Sequence, residues 1–345
     1  MGFSNYLIQW YLQNKRELPW RNSQNPYEIW LSEIILQQTR VAQGLPYFES
    51  FLAHFPTVFD LAKASEEQVL KLWQGLGYYS RARNLHQTAK IIAFEKEGQF
   101  PKTYNELLEL KGIGSYTAAA IASFAYDEAV PVVDGNVFRV LSRYFNVESD
   151  ISSSKAKNEF TALAKEVMDS KQPALFNQAI MEFGALQCVP KNPDCSVCVF
   201  NTSCAALQMK KVQSLPLKLK KTKIAKRFFN YLVFQDANNN SVVNKRTSTG
   251  IWHNLYEFPL IETENIRSEK EIVQLVKGQE NYNYKINAIV PFDNFDVLHK
   301  LSHQHITIRF WRVEIEGELE NGLSFDTIKK LPFPIVIYNF IEKNF

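Results

Sequence analysis

The chain has no apolar run approaching the roughly 20 residues that a membrane-spanning helix requires, which argues against a helical membrane protein. Its opening, MGFSNYLIQW, lacks the basic segment and apolar stretch of a secretory signal, and Tyr6 breaks the pattern for N-myristoylation. A cytoplasmic protein without membrane association is expected. Cysteine is scarce: four occur in 345 residues, all between positions 188 and 204. In a cytosolic chain such clustering argues for metal ligation over disulfides. A strong charge imbalance is also missing, since the net charge is only +3. Within that balance, residues 210–227 hold eight basic side chains and no acidic one, leaving the rest of the chain at −5. A run of this kind is either a solvated linker or a nucleic-acid contact.

Convincing strand patterns are lacking before residue 226, and the periodicity there is helical. An amphipathic helix opens the chain (Tyr6, Leu7, Trp10, Tyr11) and stops before Leu18-Pro19-Trp20-Arg21. Apolar residues then recur from Tyr27 through Trp30, Leu31, Ile34 and Ile35 to Val41, placing Glu33, Leu36, Gln37 and Arg40 together on one flank. Further helical patterns cover 48–55, 66–73, 80–97, 155–170 and 173–187, with the glycine turn Gly75-Leu76-Gly77 before the third. Beyond the basic run, 228–234 and 241–245 read as a hairpin around 236–240. Alternating segments recur near 284–290, 295–301 and 306–315, with helices near 268–277, 324–330 and 335–343. At 345 residues two domains are expected. They are a mainly α domain over 1–209 and an α+β domain over 227–345, joined by a basic linker at 210–226.

The stretch LKGIGSYTAAAIASFAYDEAVPVVDGNVFRVLSRYF, residues 110–145, organises the first domain. Two helices joined by a glycine turn form a helix-hairpin-helix at about 105–125. Gly112 and Gly114 let backbone amides approach an anion, and the second helix adds its positive end. Asp134 stands where it would cap the next helix and be held ionised. Glu33, beside an apolar face, is either an ordinary exposed glutamate or an acid whose pKa desolvation raises. The cysteines Cys188, Cys195, Cys198 and Cys204 follow a C-x6-C-x2-C-x5-C pattern that suits structural zinc or a 4Fe-4S cluster. Only one tight pair is present, which favours the cluster.

These motifs, in this order, resemble the helix-hairpin-helix DNA glycosylase superfamily. LPWR at 18–21, WLSEIILQQTRV at 30–41 and GLGYYSRARNL at 75–85 resemble its MutY-type adenine DNA glycosylases. The likeness is close over 3 to about 205 and looser over 228–345, where GIWHNLYEFP at 250–259 is similar to the start of a Nudix-like domain. The resemblance implies a monofunctional glycosylase that removes adenine opposite 8-oxoguanine or guanine in duplex DNA, working as a monomer with a 4Fe-4S cluster on the 188–204 loop. It assigns Glu33 to protonate adenine, Asp134 to stabilise the sugar cation or bond to it, and Tyr116 and Asn136 to assist. It places Arg16, Trp20, Arg21, Leu36 and Glu182 around the extruded adenine, and Gln38 and Tyr78 beside the opposite base. Endonuclease III-type enzymes, which also cut the strand, carry a lysine where this chain has Tyr116. That makes a bifunctional lyase the alternative, with a noncatalytic DNA-binding module as the other. In the Nudix-like domain, Ser302 and His303 match a lesion-reading Phe-Ser-His triplet, whereas Leu301 departs from it. The acidic Nudix catalytic box is missing after Glu257, so no nucleotide pyrophosphatase activity is expected. Alternation of His299, His303 and His305 reads as a solvent-facing strand.

Overall fold

A computed structural model describes residues 2–219, 223–278, 284–293 and 296–345. The chain folds as two units, Met1–Lys63 with Asn84–Lys221 and Ala64–Arg83 with Thr222–Phe345. The segment 64–83, which carries the GLGYY turn, is therefore packed with the C-terminal part of the chain.

The first unit is helical, and its helix ends follow from short local signals. Asn25 accepts the amide of Tyr27 to start the helix Pro26–Leu36, with Pro26 at the first position. Thr103 and Glu106 form a reciprocal capping box ahead of the helix Tyr104–Leu108. Asp127 and Asn146, both in the left-handed region, close the helices Ser115–Tyr126 and Gly135–Phe145. One face of Gly135–Phe145 (Val137, Leu141) packs with Leu7 and Tyr11 from Phe3–Asn14, Phe160 from Ser154–Val167, and Phe176 and Ile180 from Pro173–Leu186. The apolar period running from Tyr27 to Val41 is not one helix. The helix stops at Leu36, Gln38 turns the chain at φ +56°, and Arg40 caps the next helix, Val41–His54. Gln37 and Arg40 are thus not on a helical flank with Glu33.

In the helix-hairpin-helix the two glycines have different reasons to be there. Gly112 sits at φ +75°, and a Cβ on it would come within 2.6 Å of the Asn84 Cβ. Its small size is demanded by the protein's own packing. Gly114 caps the helix Ser115–Tyr126 without a side chain, and a Cβ there would meet nothing within 4 Å. The positive end of this helix therefore has an open approach at Gly114.

Among the described residues the second unit contains seven strands: β1 (Ala225–Gln235), β2 (Asn244–Lys245), β3 (Tyr256–Glu257), β4 (Leu260–Thr263), β5 (Ile286–Pro291), β6 (Val297–Lys300) and β7 (Gln304–Ile315). The main sheet runs β4-β1-β7-β5, with β6 also paired to β7; β1 and β7 are parallel and the other pairs antiparallel. The hairpin expected from 228–234 and 241–245 does not form. Residues 230–234 of β1 are buried on both faces, so the strand lies inside the sheet between β4 and β7. Asp236 then accepts the amides of Asn238, Asn240 and Leu319 and turns the chain away. Ser241 bridges Leu323, and β2 pairs with β3. The segment 64–83 is fastened here by backbone-directed bonds: Lys71 Nζ donates to Lys329 O at 2.6 Å, and Phe333 N donates to Gln74 Oε1 at 2.9 Å.

Candidate active site

A cavity of about 650 Å³ in the helical unit brings together Glu33, Tyr116, Asp134 and Asn136 with Arg16, Trp20, Arg21, Leu36 and Glu182. Glu33 projects from Pro26–Leu36 and is buried, only 7% exposed. Desolvation raises its carboxyl to about 7, against the lowering effect of a hydrogen bond with Tyr116; the nearby Asp134 charge pushes the same way as burial. Tyr116 lies in the first turn of Ser115–Tyr126, and its hydroxyl is held far on the protonated side by burial and by the two carboxylates. It is a donor to Glu33.

Asp134 caps Gly135–Phe145, accepting the amides of Asn136 and Val137 at 2.8 Å each and Asn136 Nδ2 at 2.8 Å. The sequence alone predicts an ionised cap. In the structure burial pushes this carboxyl up, while those three hydrogen bonds and Arg139 hold it back. Two carboxyls in one cavity are thus tuned by unequal means: Glu33 has one hydroxyl partner, and Asp134 has a helix end.

Glu182 is 1% exposed and is clamped by two arginines. Arg16 reaches it through Nε (2.8 Å) and Nη2 (2.6 Å), and Arg21 through Nη1 (2.9 Å) and Nη2 (2.6 Å). Burial alone would raise the Glu182 carboxyl, but these bonds bring it down to about 2. Trp20 stands edge-on to Phe48 at 5.1 Å. The polar wall has fixed charge and little freedom.

Arg139 and Gly184 also shape the site and were missed. Arg139 Nη2 donates to Asn136 Oδ1 (2.8 Å) and Gly184 O (2.7 Å), and its Nε donates to Cys188 O (2.7 Å). A Cβ on Gly184 would lie 2.6 Å from the Asn136 Cβ. The available signals were an arginine inside VVDGNVFRV and a lone glycine in a helical pattern. Gln178 and Met181 line the same cavity, and Gln178 accepts the Tyr11 hydroxyl at 2.6 Å.

The four cysteines share a small cavity with Arg143, whose Nη1 lies 3.4 Å from Cys188 Sγ, and the Phe200 amide donates to Cys198 Sγ at 3.4 Å. Burial raises the thiols of Cys195 and Cys204 and pushes that of Cys198 up to about 11. Gathering four thiolates here requires a positive centre. Among the described residues, no three His, Cys, Asp or Glu side chains are gathered as a single metal ion requires. Four sulfur donors border a common void, with N–H groups directed at sulfur, a donor set that fits a thiolate-ligated metal group.

A second cavity, of about 590 Å³, lies in the other unit and is bordered by Tyr78, Ser302 and His303, with Tyr78 OH 3.0 Å from Ser302 Oγ. Gln38 borders neither cavity. The histidines do not share one strand: His299 is on β6 and half-buried, His303 is in the turn and exposed, and His305 is on β7. Glu257 is buried in an ion pair with Arg246 and accepts the Tyr231 hydroxyl.

Residues 31–166 match the profile of the HhH-GPD superfamily base excision DNA repair proteins, and residues 230–343 that of the NUDIX domain. A solved thermostable thymine-DNA glycosylase is 26% identical with a TM-score of 0.56, covering 60% of this chain and 95% of its own. The class is therefore a DNA N-glycosylase with a helical helix-hairpin-helix domain and a Nudix-like mixed domain. The adenine DNA glycosylase of Buchnera aphidicola subsp. Schizaphis graminum is 37% identical over 302 residues, 87% of this chain and 84% of that one. The human adenine DNA glycosylase is 44% identical over 216 residues, 60% of this chain and 40% of that one. The chain belongs to the adenine DNA glycosylase family.

Proposed function

We propose that this chain removes adenine from duplex DNA where it is mispaired with 8-oxoguanine or guanine, breaking the N-glycosyl bond and leaving the strand whole. One observation carries this reading: a buried Glu33, its carboxyl raised to about 7, shares a cavity with Tyr116 and a helix-capping Asp134.

The adenine must leave the base stack to reach these groups. The cavity volume lies within the range of small-molecule sites, and Trp20 and Leu36 supply apolar wall for the base. Glu33 gives its proton to N7, so the bonding pair of the C1′–N9 bond departs with a neutral base. Positive charge develops on the sugar, and the Asp134 carboxylate stabilises it or bonds to it. Glu33, now ionised, takes a proton from the water that completes hydrolysis. Tyr116 orients Glu33, and Asn136 orients Asp134. A hydroxyl on Tyr116 offers no amine for a Schiff base, which favours simple base removal over the lyase alternative. Borohydride trapping on duplex DNA separates the two, with no covalent adduct expected.

Cys188, Cys195, Cys198 and Cys204 are proposed to hold a 4Fe-4S cluster, which when bound supplies cross-links that fix the 188–204 loop. Iron, not zinc, is the expected metal in anaerobically purified protein. The glycine hairpin, through the amides after Gly114, is assigned to a DNA phosphate. Ser302 and His303 are assigned to the opposite base, and Gln38 and Tyr78 to the gap beside it. The proposed partner is duplex DNA bound by a monomer, in a cytoplasm of bacterial type. The deciding measurement is base release from matched duplexes carrying adenine opposite 8-oxoguanine, guanine or thymine. Release opposite the first two is expected, and no release from any of them would sink the proposal.

A further inference from the structure

We propose that Trp252 is a positioning residue for base discrimination, acting through His299 on the Leu301–Ser302–His303 turn. This rests on the reading of the second cavity as the site of the base opposite adenine. Trp252 has φ +60°, and Gly250 (+130°) and Asn254 (+64°) flank it in the same region. A bulky residue there is an outlier that persists only where its surroundings over-determine it, and such outliers cluster at functional sites.

The surroundings here do over-determine it. Leu255 N donates to Trp252 O at 3.0 Å, and Asn254 N to Arg246 O at 2.7 Å. Arg83 Nη1 donates to His253 O at 2.9 Å, and Asn254 Nδ2 to Glu66 Oε1 at 2.6 Å. This network ties residues 250–255 to the segment 64–83 within one unit.

The strained backbone delivers the indole to the cavity wall, 7% exposed, edge-on to Phe229 at 6.0 Å and against the His299 ring at 5.7 Å. His299 also lines the cavity and lies on β6, two residues before Leu301. Burial lowers its pKa and so favours the neutral ring, which meets the indole at a tilt of 54°. The turn that follows is closed by Leu301 N donating to Gln304 O at 2.8 Å, and Ser302 and His303 are exposed on it. Tyr78 OH reaches Ser302 Oγ at 3.0 Å and Gln304 Nε2 lies 2.9 Å from His303 Nε2, so these bonds hold the tips of the two side chains while the base of the turn is held where His299 meets Trp252. Leu301 brings no aromatic ring to this turn. Trp252, with Tyr78 and Tyr79, makes the aromatic part of the wall.

The test measures single-turnover adenine release opposite 8-oxoguanine and opposite guanine for Trp252→Ala, Trp252→Phe, His299→Ala and the Trp252→Ala/His299→Ala pair. Trp252→Ala is expected to lower the ratio of the two rates by about tenfold, with Trp252→Phe restoring most of it. His299→Ala is expected to reproduce the loss, and the double variant to be no worse than either single one. Equal losses on both duplexes, or an additive double variant, would overturn the proposal. If Trp252→Ala does not fold, the other single variants carry the test, and a His299→Ala ratio equal to that of the unaltered protein overturns it. Ser302→Ala separates the two readings. If it lowers the ratio while Trp252→Ala and His299→Ala do not, the positioning role alone fails. If none of the three variants changes the ratio, the assignment of the cavity to the opposite base fails with it.

Discussion

The two cavities are built by opposite physical means, and the proposed function gives each a different task. In the helical unit the proposed groups are buried and ionisable: Glu33 is held by the Tyr116 hydroxyl, Asp134 by a helix end and Glu182 by two arginines. In the mixed unit Tyr78, Ser302 and His303 are exposed on turns, and the order comes from left-handed backbone at Gly77, Tyr78 and Trp252. Protonating a departing base needs a proton retained on a carboxyl near neutrality, which burial, helped by the nearby Asp134 charge, supplies at Glu33. Reading a base needs hydrogen-bonding groups that remain open to it, so their rigidity comes from the backbone behind them.

The sharpest way to break this comparison is at the carboxyls. Glu33→Gln and Asp134→Asn are each expected to slow adenine release by about a thousandfold or more while duplex binding persists, measured by single-turnover kinetics beside equilibrium binding. Substantial activity in either would remove the chemistry from the first cavity. Next in size is Glu182→Ala, which strands Arg16 and Arg21 and is expected to cost about 3–5 kcal/mol of unfolding free energy in denaturant titrations. A loss below about 1 kcal/mol would show the clamp to be a surface interaction.

Acidity provides the third test. The folded Glu33 carboxyl titrates near 7 against 4.5 as its ordinary value, so the folded state holds the proton more tightly. Its stabilising contribution is complete below about pH 4.5 and is lost as pH rises through about 7, a change of about 3 kcal/mol. Glu33→Gln, which cannot ionise, is expected to gain stability relative to the unaltered protein across that window. The rate constant kcat/KM is expected to fall above about pH 7 as the proton is lost. An identical pH dependence of stability in both proteins would contradict the burial argument. The smallest effect is expected in the open cavity: Ser302→Ala removes an exposed hydroxyl and should leave the unfolding midpoint unchanged. It should cost about 1 kcal/mol of discrimination between 8-oxoguanine and guanine.

Much of the fold could be read locally because its signals are local. The helix starts at Asn25, Thr103 and Asp134 are short side-chain-to-amide patterns, and the apolar period of Gly135–Phe145 is visible without partners. Sequence failed where a residue answers to something distant. The 241–245 segment alternates like a hairpin partner, but β1, buried on both faces, takes β4 and β7 instead. Arg139 and Gly184 are ordinary in their own helices and gain meaning only where those helices meet at Asn136.

By itself the sequence determined the change from helical to mixed texture near residue 226, the capping place of Asp134, the clustering of the four cysteines and the tyrosine at position 116. Each of these is set by residue type and short spacing. Tertiary structure alone decided that 64–83 packs with the C-terminal unit, that Glu182 is clamped by two arginines, and that Glu33 keeps a proton near pH 7. Burial and long-range contact set these properties. Both depend on which surfaces the fold removes from water, and no short stretch of the chain determines that.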